Sequence, residues 1–472
     1  MIRKHDSDAI GPYLKDASNY SGGWAEEVII PESVSELSRY LQSDHRPVTI
    51  SGAGTGMTAS RIPNEGTVVS LERFNSMSDV QNGSIDVGPA VTLKDLQDYL
   101  EGTPWFYPPN PTEALASIGG NLATNASGSR SFKFGVTRDY VVEADIVLSD
   151  GGVSTLSRGK KVSSSLELDD GRQIPFPDVK YTSPVCKNAA GYYVQPGMDW
   201  LDLFIGSDGT LGIFTRIRLR LVPRPDNFLS GILFFWEEEF CWDLIQKIRS
   251  LRGNRISPCS LEYFDRYSLV RLRSKHALIP DYAQAALFFE QDVERQEDYD
   301  SDLEAWYEFL RGEGALLDDS WFAQNERDII KFHDFRHDIP AMLNEENSRL
   351  GRVKIGTDMA VPDSHFMEMM KFYETEIAAS GLDYVMFGHL GDNHLHINLL
   401  PETSDIENAK KVYEKLVDQV LKWDGTVSAE HGIGKLKKEY LARMVGPEVL
   451  EEFKKIKRAL DPGWRLGLGN II

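Results

Sequence analysis

The stretch VTISGAGTG (48–56) decides how the first half of the chain is interpreted, because a short apolar segment runs directly into a glycine-rich loop. The apolar residues predict a buried strand, and the loop has glycine at every second position, at Gly52, Gly54 and Gly56. Alternating glycines let the backbone approach a phosphate closely and point successive N–H groups at it. Taken alone, the loop indicates either a plain tight turn or a phosphate-binding loop.

A Rossmann dinucleotide site is the first alternative, because Glu72 follows the loop at about the distance of that fold's ribose-binding acid. Two features oppose it. Met57 occupies the position of the third glycine in GxGxxG, and Pro63 and Gly66 exclude the helix that should follow. A Rossmann fold is therefore not expected.

Two further segments of small residues follow the loop. The first is IGGNLATNASG (118–128), and the second combines KNAAGYY (187–193) with IGSDGTLGIFT (205–215). A single turn does not need so much backbone with small side chains, whereas a flat polar cofactor laid along a sheet edge does.

Local signals predict the remaining elements. Strands are expected over 68–71, 85–90, 143–152 and 213–225, and a strand–turn–strand over 385–400. Capping boxes at Ser33/Glu36 and Thr92/Asp95 predict helices to about 42 and 100. Ser364 is expected to cap a helix that Gly381 ends, and further helices are expected over 291–310, 402–423 and 437–461.

The three glycine-rich segments, in this order and spacing, resemble the FAD-binding domain of the vanillyl-alcohol oxidase/p-cresol methylhydroxylase family over about residues 20 to 225. The resemblance implies an α+β protein with a two-part FAD-binding domain and a cap domain built on an antiparallel sheet. A C-terminal helical segment is expected to return to the FAD domain. The predicted domain bounds are 1–225, 226–415 and 416–472.

The resemblance also implies how FAD is held. SGAGTG is expected at the pyrophosphate, IGGNLATNASG around the ribityl chain and flavin, and GTLGI beside the adenine. The residues expected to bind FAD are Ser51, Gly52, Ala53, Gly54, Thr55, Gly56, Pro108, Gly119, Gly120, Asn121, Thr124, Asn125, Gly128, Ser129, Gly209, Gly212, Ile213 and Asn470. No histidine lies in 51–130, so non-covalent FAD is expected.

Two positions depart from the family pattern. Asp208 stands where many relatives have glutamate before GTLG. RLGLGNII (465–472) replaces the common Asn-Pro-Gly-Lys ending, so of the C-terminal contacts to the flavin only that of Asn470 is carried over.

A second chemical feature is the histidine-rich stretch FGHLGDNHLHINL (387–399). Strand alternation places His394 and His396 on one face, and the turn before them can fold His389 back toward that face. SAEHGIGK (428–435) adds Glu430 and His431. Imidazoles with a carboxylate suit Zn, Mn or Fe, although histidines held only by hydrogen bonds remain the alternative.

Both histidine segments resemble the C-terminal part of the group containing the glycolate oxidase flavin subunit, D-lactate dehydrogenase and D-2-hydroxyglutarate dehydrogenase. The resemblance implies that His389, His396 and Glu430 bind a divalent metal and that His431 is the general base. His394 stands where relatives have asparagine, and its role stays open.

The overall charge restricts the partners. With 51 Lys and Arg against 72 Asp and Glu, the net charge of −21 disfavours nucleic acid and anionic membrane surfaces. An anionic substrate therefore needs local cations, and Arg336 and Lys354 match the group's carboxylate-binding pair. Pro340 replaces a threonine found in some relatives, so that residue's contact to a second polar arm of the substrate is not carried over.

The resemblance implies an FAD-dependent dehydrogenase or oxidase of a small D-2-hydroxy acid, such as D-lactate, glycolate or D-2-hydroxyglutarate. The reduced flavin is expected to pass electrons to a quinone, a cytochrome or an electron-transfer flavoprotein. Two alternatives remain: an FAD oxidase of another alcohol or a sugar, and a flavin-binding electron-transfer subunit without its own substrate.

The remaining sequence features indicate a cytoplasmic protein, at most peripheral to a membrane. Three cysteines without a CxxC pair argue against a disulfide framework, and the N-terminus has no apolar signal region. No run reaches the ~18–20 apolar residues of a membrane span. The substrate, the metal, the electron acceptor and the choice between monomer and homodimer stay open.

Overall fold

The computed structural model describes residues 1–251 and 254–472, and its elements fall into two units. Unit 1 contains Met1–Ser127, Val136–Pro223 and Val427–Ile472, and unit 2 contains Gly128–Gly135 and Arg224–Thr426. The predicted domain bounds at 225 and 415 stay predictions; the units change at residues 224 and 427, and one helix of unit 2 continues through residue 415.

The described residues form twenty strands, numbered in chain order: β1 (Ile2–Lys4), β2 (Glu27–Ile30), β3 (Val48–Ser51), β4 (Thr67–Ser70), β5 (Ser84–Val87), β6 (Trp105–Phe106), β7 (Val141–Val147), β8 (Val153–Ser157), β9 (Ser165–Glu167), β10 (Gln173–Pro175), β11 (Ile213–Arg220), β12 (Val222–Pro223), β13 (Asn227–Phe235), β14 (Ser260–Asp265), β15 (Ala285–Val293), β16 (Trp321–Phe322), β17 (Ile355–Gly356), β18 (Met359–Ala360), β19 (Tyr384–Gly388) and β20 (His394–Leu399).

They also form thirteen α-helices: α1 (Ser7–Ile10), α2 (Val34–Ser43), α3 (Leu93–Leu100), α4 (Ile118–Thr124), α5 (Ser131–Phe134), α6 (Trp200–Phe204), α7 (Glu238–Ser250), α8 (Arg266–Leu272), α9 (Tyr299–Leu310), α10 (Glu326–Leu350), α11 (Phe366–Ser380), α12 (Ile406–Lys422) and α13 (Lys438–Leu460).

Unit 1 is built on two four-stranded sheets. The first has the order β1-β2-β4-β3, with β2, β4 and β3 parallel, and the second has the antiparallel order β5-β11-β7-β8. Helix α2 packs Leu37 and Leu41 into a core that contains Val48 of the first sheet and Ile213 of the second. The same core therefore fixes β3, which the first glycine-rich segment follows, and β11, into which the third one runs.

Unit 2 contains one antiparallel eight-stranded sheet in the order β16-β13-β15-β14-β19-β20-β17, with β18 paired to β20. Helix α10 covers it with an apolar stripe, Phe332, Phe335, Ile339 and Leu343, at helical spacing. The predicted α+β class, with an antiparallel sheet in the second part and a C-terminal helix in the first, is confirmed.

Several of the predicted helix ends and strands are confirmed. The Thr92/Asp95 capping box is complete: each side chain accepts the other residue's backbone N–H, at 3.0 and 3.3 Å. Gly381 ends α11 with a φ of +69°, as predicted. Strand β3 and the strand–turn–strand β19–β20 also form as predicted.

Other predictions were wrong in part. Ser33 caps α2, but Glu36 accepts from the Glu32 N–H at 3.0 Å, so the capping box is incomplete. Ser364 lies inside a short 3-10 helix, and His365 precedes α11. Residues 291–293 belong to β15, because pairing with β13 overrides their helical composition.

Two buried cations hold the C-terminal part of unit 1. Arg465 donates to the carbonyls of Leu41, at 2.9 Å, and of Ser149. Lys457 is 3% exposed and donates to the carbonyl of Thr210 and the carboxylate of Asp461, both at 2.6 Å. Since a buried charge is tolerated only when it is paired, these contacts fix the tail against α2, the turn after β7 and the loop before β11.

No helix in the described ranges combines the length and the apolar character needed to cross a lipid bilayer.

Replacing Lys457 by methionine should lower the free energy of unfolding by about 3–5 kcal/mol, because the completely buried Asp461 would lose its cation. Lys455→Met is the matched control: it lies on the exposed side of the same helix and should change stability by less than about 0.5 kcal/mol. Urea unfolding followed by circular dichroism measures both. Equal stability of the two variants would contradict the role assigned to Lys457.

Candidate active site: the glycine segments and the histidine cluster

The predicted pyrophosphate loop, residues 52–56, begins directly after Ser51, the last residue of β3. Gly54 has a φ of +83°, a conformation that glycine adopts at low cost. A Cβ added to Gly52 would lie 2.7 Å from the hydroxyl oxygen of Ser117, the residue that caps α4. The structure therefore brings the first two glycine-rich segments together, and glycine is required where they meet.

Helix α4 contains Gly119, Gly120, Asn121 and Thr124 of the second segment. A Cβ on Gly119 would lie 2.6 Å from the Cβ of Pro89, so this glycine is needed for packing. Asn125 ends the helix with a φ of +50°. The amide Nδ2 of Asn121 is buried and has no hydrogen-bond partner among the described residues, so it is a donor suited to a polar group of a cofactor.

Gly128 and Ser129, also predicted to contact FAD, belong to unit 2. Their segment is held there by an ion pair between Arg130 and Glu290, 2.6 Å between Nε and Oε1, and by a second pair between Lys133 and Asp292 at 2.7 Å. Pro108, the remaining predicted residue of this region, is buried just after β6 in unit 1.

The third segment contains Gly209, Gly212 and Ile213, and it contacts the predicted base segment through its neighbour Asp208. The Asp208 carboxylate accepts the backbone N–H groups of Ile433 and Gly434, at 3.0 and 2.8 Å. Burial raises the pKa of Asp208 to about 6. Asp208 thus fixes the loop that follows His431, a role that the sequence did not reveal.

Asn470 is bound on both sides of its amide. Nδ2 donates to the carbonyls of Ser60 and Asp208, at 2.9 and 3.1 Å, and Oδ1 accepts from Lys435 at 2.7 Å. Its described contacts hold the chain end against three loops of unit 1, and its contact with FAD stays a prediction.

In unit 2 the turn between β19 and β20 brings three imidazoles together. The ring of His396 lies 5.6 Å from that of His389 and 4.6 Å from that of His394, measured between centroids. Each of the three offers a ring nitrogen within 4.8 Å of the others. This spacing allows two or three of them to bind one metal ion.

Glu262, in the middle of β14, positions the first of these histidines. Its Oε1 lies 2.5 Å from Nδ1 of His389, and both side chains are 5% exposed. A carboxylate accepts hydrogen bonds and does not donate them, so in the neutral imidazole Nδ1 carries the hydrogen and Nε2 keeps its lone pair. The contact selects the tautomer that can bind a metal through Nε2.

The other oxygen of Glu262 faces Arg336, whose Nε lies 3.5 Å away. Arg336 is on α10 beside the apolar stripe and is 5% exposed. The neighbouring His337 lies 3.4 Å from Arg336, and burial together with that cation lowers the pKa of His337 to about 4. Near neutral pH, His337 is therefore an uncharged neighbour of the arginine.

His394 is completely buried, and Oδ1 of Asp358 lies 3.1 Å from its Nε2. This carboxylate resembles Glu262 in its position behind a histidine of the cluster. The extra imidazole is consequently built into the interior of unit 2 and does not extend into solvent.

Glu430 and His431 belong to unit 1. The Glu430 carboxylate accepts hydrogen bonds from the Ser127 hydroxyl and from the ammonium of Lys187, both at 3.1 Å. Lys187 is 4% exposed, whereas the His431 side chain is 30% exposed. A partly exposed imidazole beside a fixed carboxylate can exchange protons with a bound molecule.

Lys354 of unit 2 is half-buried, and its ammonium donates to the side-chain oxygen of Asn344 at 3.1 Å. Burial lowers the pKa of Lys354. Asn344 lies eight residues beyond Arg336 on α10, which corresponds to about 12 Å along the helix axis.

Glu262, Asp358 and Lys187 were not identified from the sequence. A signal existed for Glu262, because an acid between the apolar residues Leu261 and Tyr263 of the strand SLEYFD (260–265) needs a buried partner. Its partner His389 lies 127 residues away, which no local pattern reveals.

Comparison with known proteins identifies the family. Residues 236–471 match the C-terminal domain family of FAD linked oxidases, and residues 26–157 match an FAD binding domain family. The chain is 28% identical to the glycolate oxidase subunit GlcD of Bacillus subtilis (strain 168), over 95% of this chain and 89% of that protein. It is 27% identical to a D-lactate dehydrogenase of Anaerostipes hadrus, over 94% and 88%, and 25% identical to the D-2-hydroxyglutarate dehydrogenase of Stutzerimonas stutzeri (strain A1501), over 99% and 95%.

The fold likeness extends to a solved structure of p-cresol methylhydroxylase with substrate bound. The TM-score is 0.71 at 15% identity, over 99% of this chain and 93% of that one. The family matches and the fold agree with the resemblance drawn from the glycine-rich segments. The chain therefore belongs to the FAD-linked oxidases of the vanillyl-alcohol oxidase/p-cresol methylhydroxylase family, and it is an oxidoreductase with FAD as its cofactor.

Proposed function

We propose that the protein oxidises a small D-2-hydroxy acid to the 2-oxo acid. One observation carries the proposal: the buried Glu262 carboxylate contacts both His389 of the histidine cluster and Arg336, the predicted carboxylate-binding arginine. A metal-binding group and an anion-binding group are thereby held side by side. The relatives named glycolate oxidase subunit, D-lactate dehydrogenase and D-2-hydroxyglutarate dehydrogenase support this class of substrate.

FAD is bound non-covalently by the three glycine-rich segments. The left-handed backbone of Gly54 and the close approach of Gly52 to Ser117 are suited to a loop that follows a pyrophosphate. The buried Nδ2 of Asn121 is suited to an acceptor on the ribityl chain or the flavin ring.

A divalent metal, Zn, Mn or Fe, is held by His389, His396 and Glu430, with His394 as the remaining candidate ligand. The donor set supports such a metal, because neutral imidazole with carboxylate suits these ions. The carboxylate of Glu262 behind His389 supports it as well, because such carboxylates orient metal-binding histidines. Glu262 is therefore a positioning residue.

The residues of this chain divide the chemistry among them. Arg336 and Lys354 bind the substrate carboxylate, and His431 takes the proton of the 2-hydroxyl group. When bound, the metal supplies a Lewis acid for the hydroxyl oxygen, and FAD supplies the acceptor for the hydride that leaves C2. Loss of that proton and that hydride leaves a carbonyl at C2. A quinone, a cytochrome or an electron-transfer flavoprotein then accepts the electrons.

A panel of substrates tests the reaction. We expect metal-replete protein to lose its flavin absorbance anaerobically with at least one of D-lactate, glycolate and D-2-hydroxyglutarate, and not with the L enantiomers of the chiral acids. Bleaching by a sugar or another alcohol alone would favour the alternative oxidase, and bleaching by no compound would favour an electron-transfer subunit. Either result would contradict the proposal.

Removal of ligands tests the metal site. His389→Ala and His396→Ala should each remove most of the metal, about one ion per chain in the wild type. Glu262→Gln should weaken metal binding about 10–100-fold, because the amide can donate to Nδ1 and favour the wrong tautomer. His365→Ala, a histidine outside the cluster that pairs with Glu368, is the control. Metal analysis after dialysis measures all four variants. Unchanged metal content in both His389→Ala and His396→Ala would exclude these two histidines as ligands.

The roles of Arg336 and Lys354 in substrate binding can be tested separately. Arg336→Lys should lower kcat/KM about 10–100-fold for every hydroxy acid, because lysine cannot form the paired hydrogen bonds of a guanidinium. Lys354→Met should raise KM for D-lactate, glycolate and D-2-hydroxyglutarate alike, because Lys354 is proposed to bind the same carboxylate as Arg336. Unchanged KM for all three acids would exclude Lys354 from the site. Lys331→Met, on the exposed side of α10, is the control and should change neither constant; no effect of Arg336→Lys would exclude that arginine from the site.

A further inference from the structure

Arg61, which follows the glycine loop in sequence, folds back over it. A Cβ added to Gly54 would lie only 1.9 Å from Nη1 of Arg61, so the guanidinium group rests against the loop backbone. Its Nε donates to the hydroxyl of Ser51 at 2.6 Å, and Nη1 donates to the carbonyl of Lys15 at 3.0 Å. These contacts hold a cation at the point where β3 passes into the loop.

The surroundings of Arg61 do not neutralise it. The side chain is half-buried, and in the described part of the chain no carboxylate lies within ion-pair distance of it and no residue accepts a hydrogen bond from Nη2. The ring of Tyr13 lies 5.7 Å away, and burial lowers the pKa of the guanidinium. Asp16 and Glu72 are near enough to affect it only through space.

Asp16 and Glu72 offset the partial withdrawal of this cation from water only in part, so a bound anion would stabilise it further. The protein has 72 acidic residues, so a carboxylate partner could readily have been supplied. A pyrophosphate carries negative charge on several oxygens and fits the forked donors of a guanidinium. The backbone N–H groups of a glycine loop bring dipoles but no full positive charge.

We propose that Arg61 binds the pyrophosphate of FAD and supplies the positive charge that the glycine loop itself lacks. This inference rests on the proposed position of the pyrophosphate at residues 52–56. It assigns to Arg61 a part in cofactor affinity, and none in the oxidation of the substrate.

A purely structural part is the alternative, since Arg61 also joins Ser51 to Lys15. Measuring both FAD affinity and the stability of the apoprotein distinguishes the two roles. A pyrophosphate ligand affects FAD binding and leaves the apoprotein intact, whereas a residue that only joins two segments lowers the stability of the apoprotein as well.

The experiment compares Arg61→Gln and Arg61→Lys with Arg73→Gln, an exposed arginine of the same unit whose loss changes the net charge equally. FAD affinity is measured by flavin fluorescence on apoprotein, with the thermal midpoint of each apoprotein recorded beside it. We expect Arg61→Gln to raise the Kd of FAD about 10–100-fold, Arg61→Lys to restore most of the affinity, and the midpoints to match the wild type. Unchanged Kd in Arg61→Gln, or a loss of affinity accompanied by an equal loss of apoprotein stability without rescue by lysine, would overturn the proposal.

A loop variant distinguishes the failure of this inference from the failure of the proposed FAD site. The described atom nearest to a Cβ added at Gly56 is a carboxylate oxygen of Asp16, at 3.9 Å, so Gly56→Asp adds a carboxylate to the loop without steric overlap, and the apoprotein midpoint of this variant checks that repulsion by Asp16 has not displaced the loop. Weak FAD binding in Gly56→Asp but not in Arg61→Gln would remove Arg61 and keep the pyrophosphate at the loop. Normal binding in both would place the pyrophosphate elsewhere and overturn both assignments. Weak binding in both supports the inference.

Discussion

The Glu262 carboxylate is the interaction on which the site in unit 2 depends. It lies in the middle of β14 and is 5% exposed, and a carboxylate is stable there only when it is paired. His389 and Arg336 supply that pairing, from the turn after β19 and from α10. Because β14 is fixed by two neighbouring strands, it determines where both partners stand. Stability and site geometry therefore have the same cause.

Unit 1 uses the same principle at Asp208. Burial disfavours the ionised form of this carboxyl, and its hydrogen bonds from the N–H groups of Ile433 and Gly434 partly compensate. The backbone carbonyl of Asp208 accepts from Asn470, so the loop after the predicted base, the third glycine-rich segment and the chain end are held at one residue. Asp208 and the chain ending, the two places where the sequence is expected to depart from the family pattern, meet at this contact.

The sequence was informative wherever a feature depends on neighbours in the chain. The strand before the glycine loop, the Thr92/Asp95 cap and the return of His389 over β20 follow from alternation, capping chemistry and a turn. What it missed depends on residues far apart: the carboxylate of Glu262 behind His389, and the strand pairing that takes residues 291–293 out of a helix. A local sequence pattern indicates whether a segment is a helix or a strand, but not which distant residues it contacts in the fold.

Because acidic residues are in excess, a cation without a carboxylate partner can indicate where an anion binds. In a chain with 72 acidic and 51 basic residues, a half-buried cation could be neutralised from within the protein, as Lys457 is by Asp461 and Arg130 by Glu290. Among the described residues, Arg61 and Lys354, like Arg465 and Lys435, have no carboxylate within ion-pair distance, and burial lowers the pKa of all four. Arg61 lies against the glycine loop and Lys354 beside α10. The two places where an anionic cofactor and an anionic substrate are proposed to bind are thus places where the fold leaves positive charge to be neutralised by a ligand.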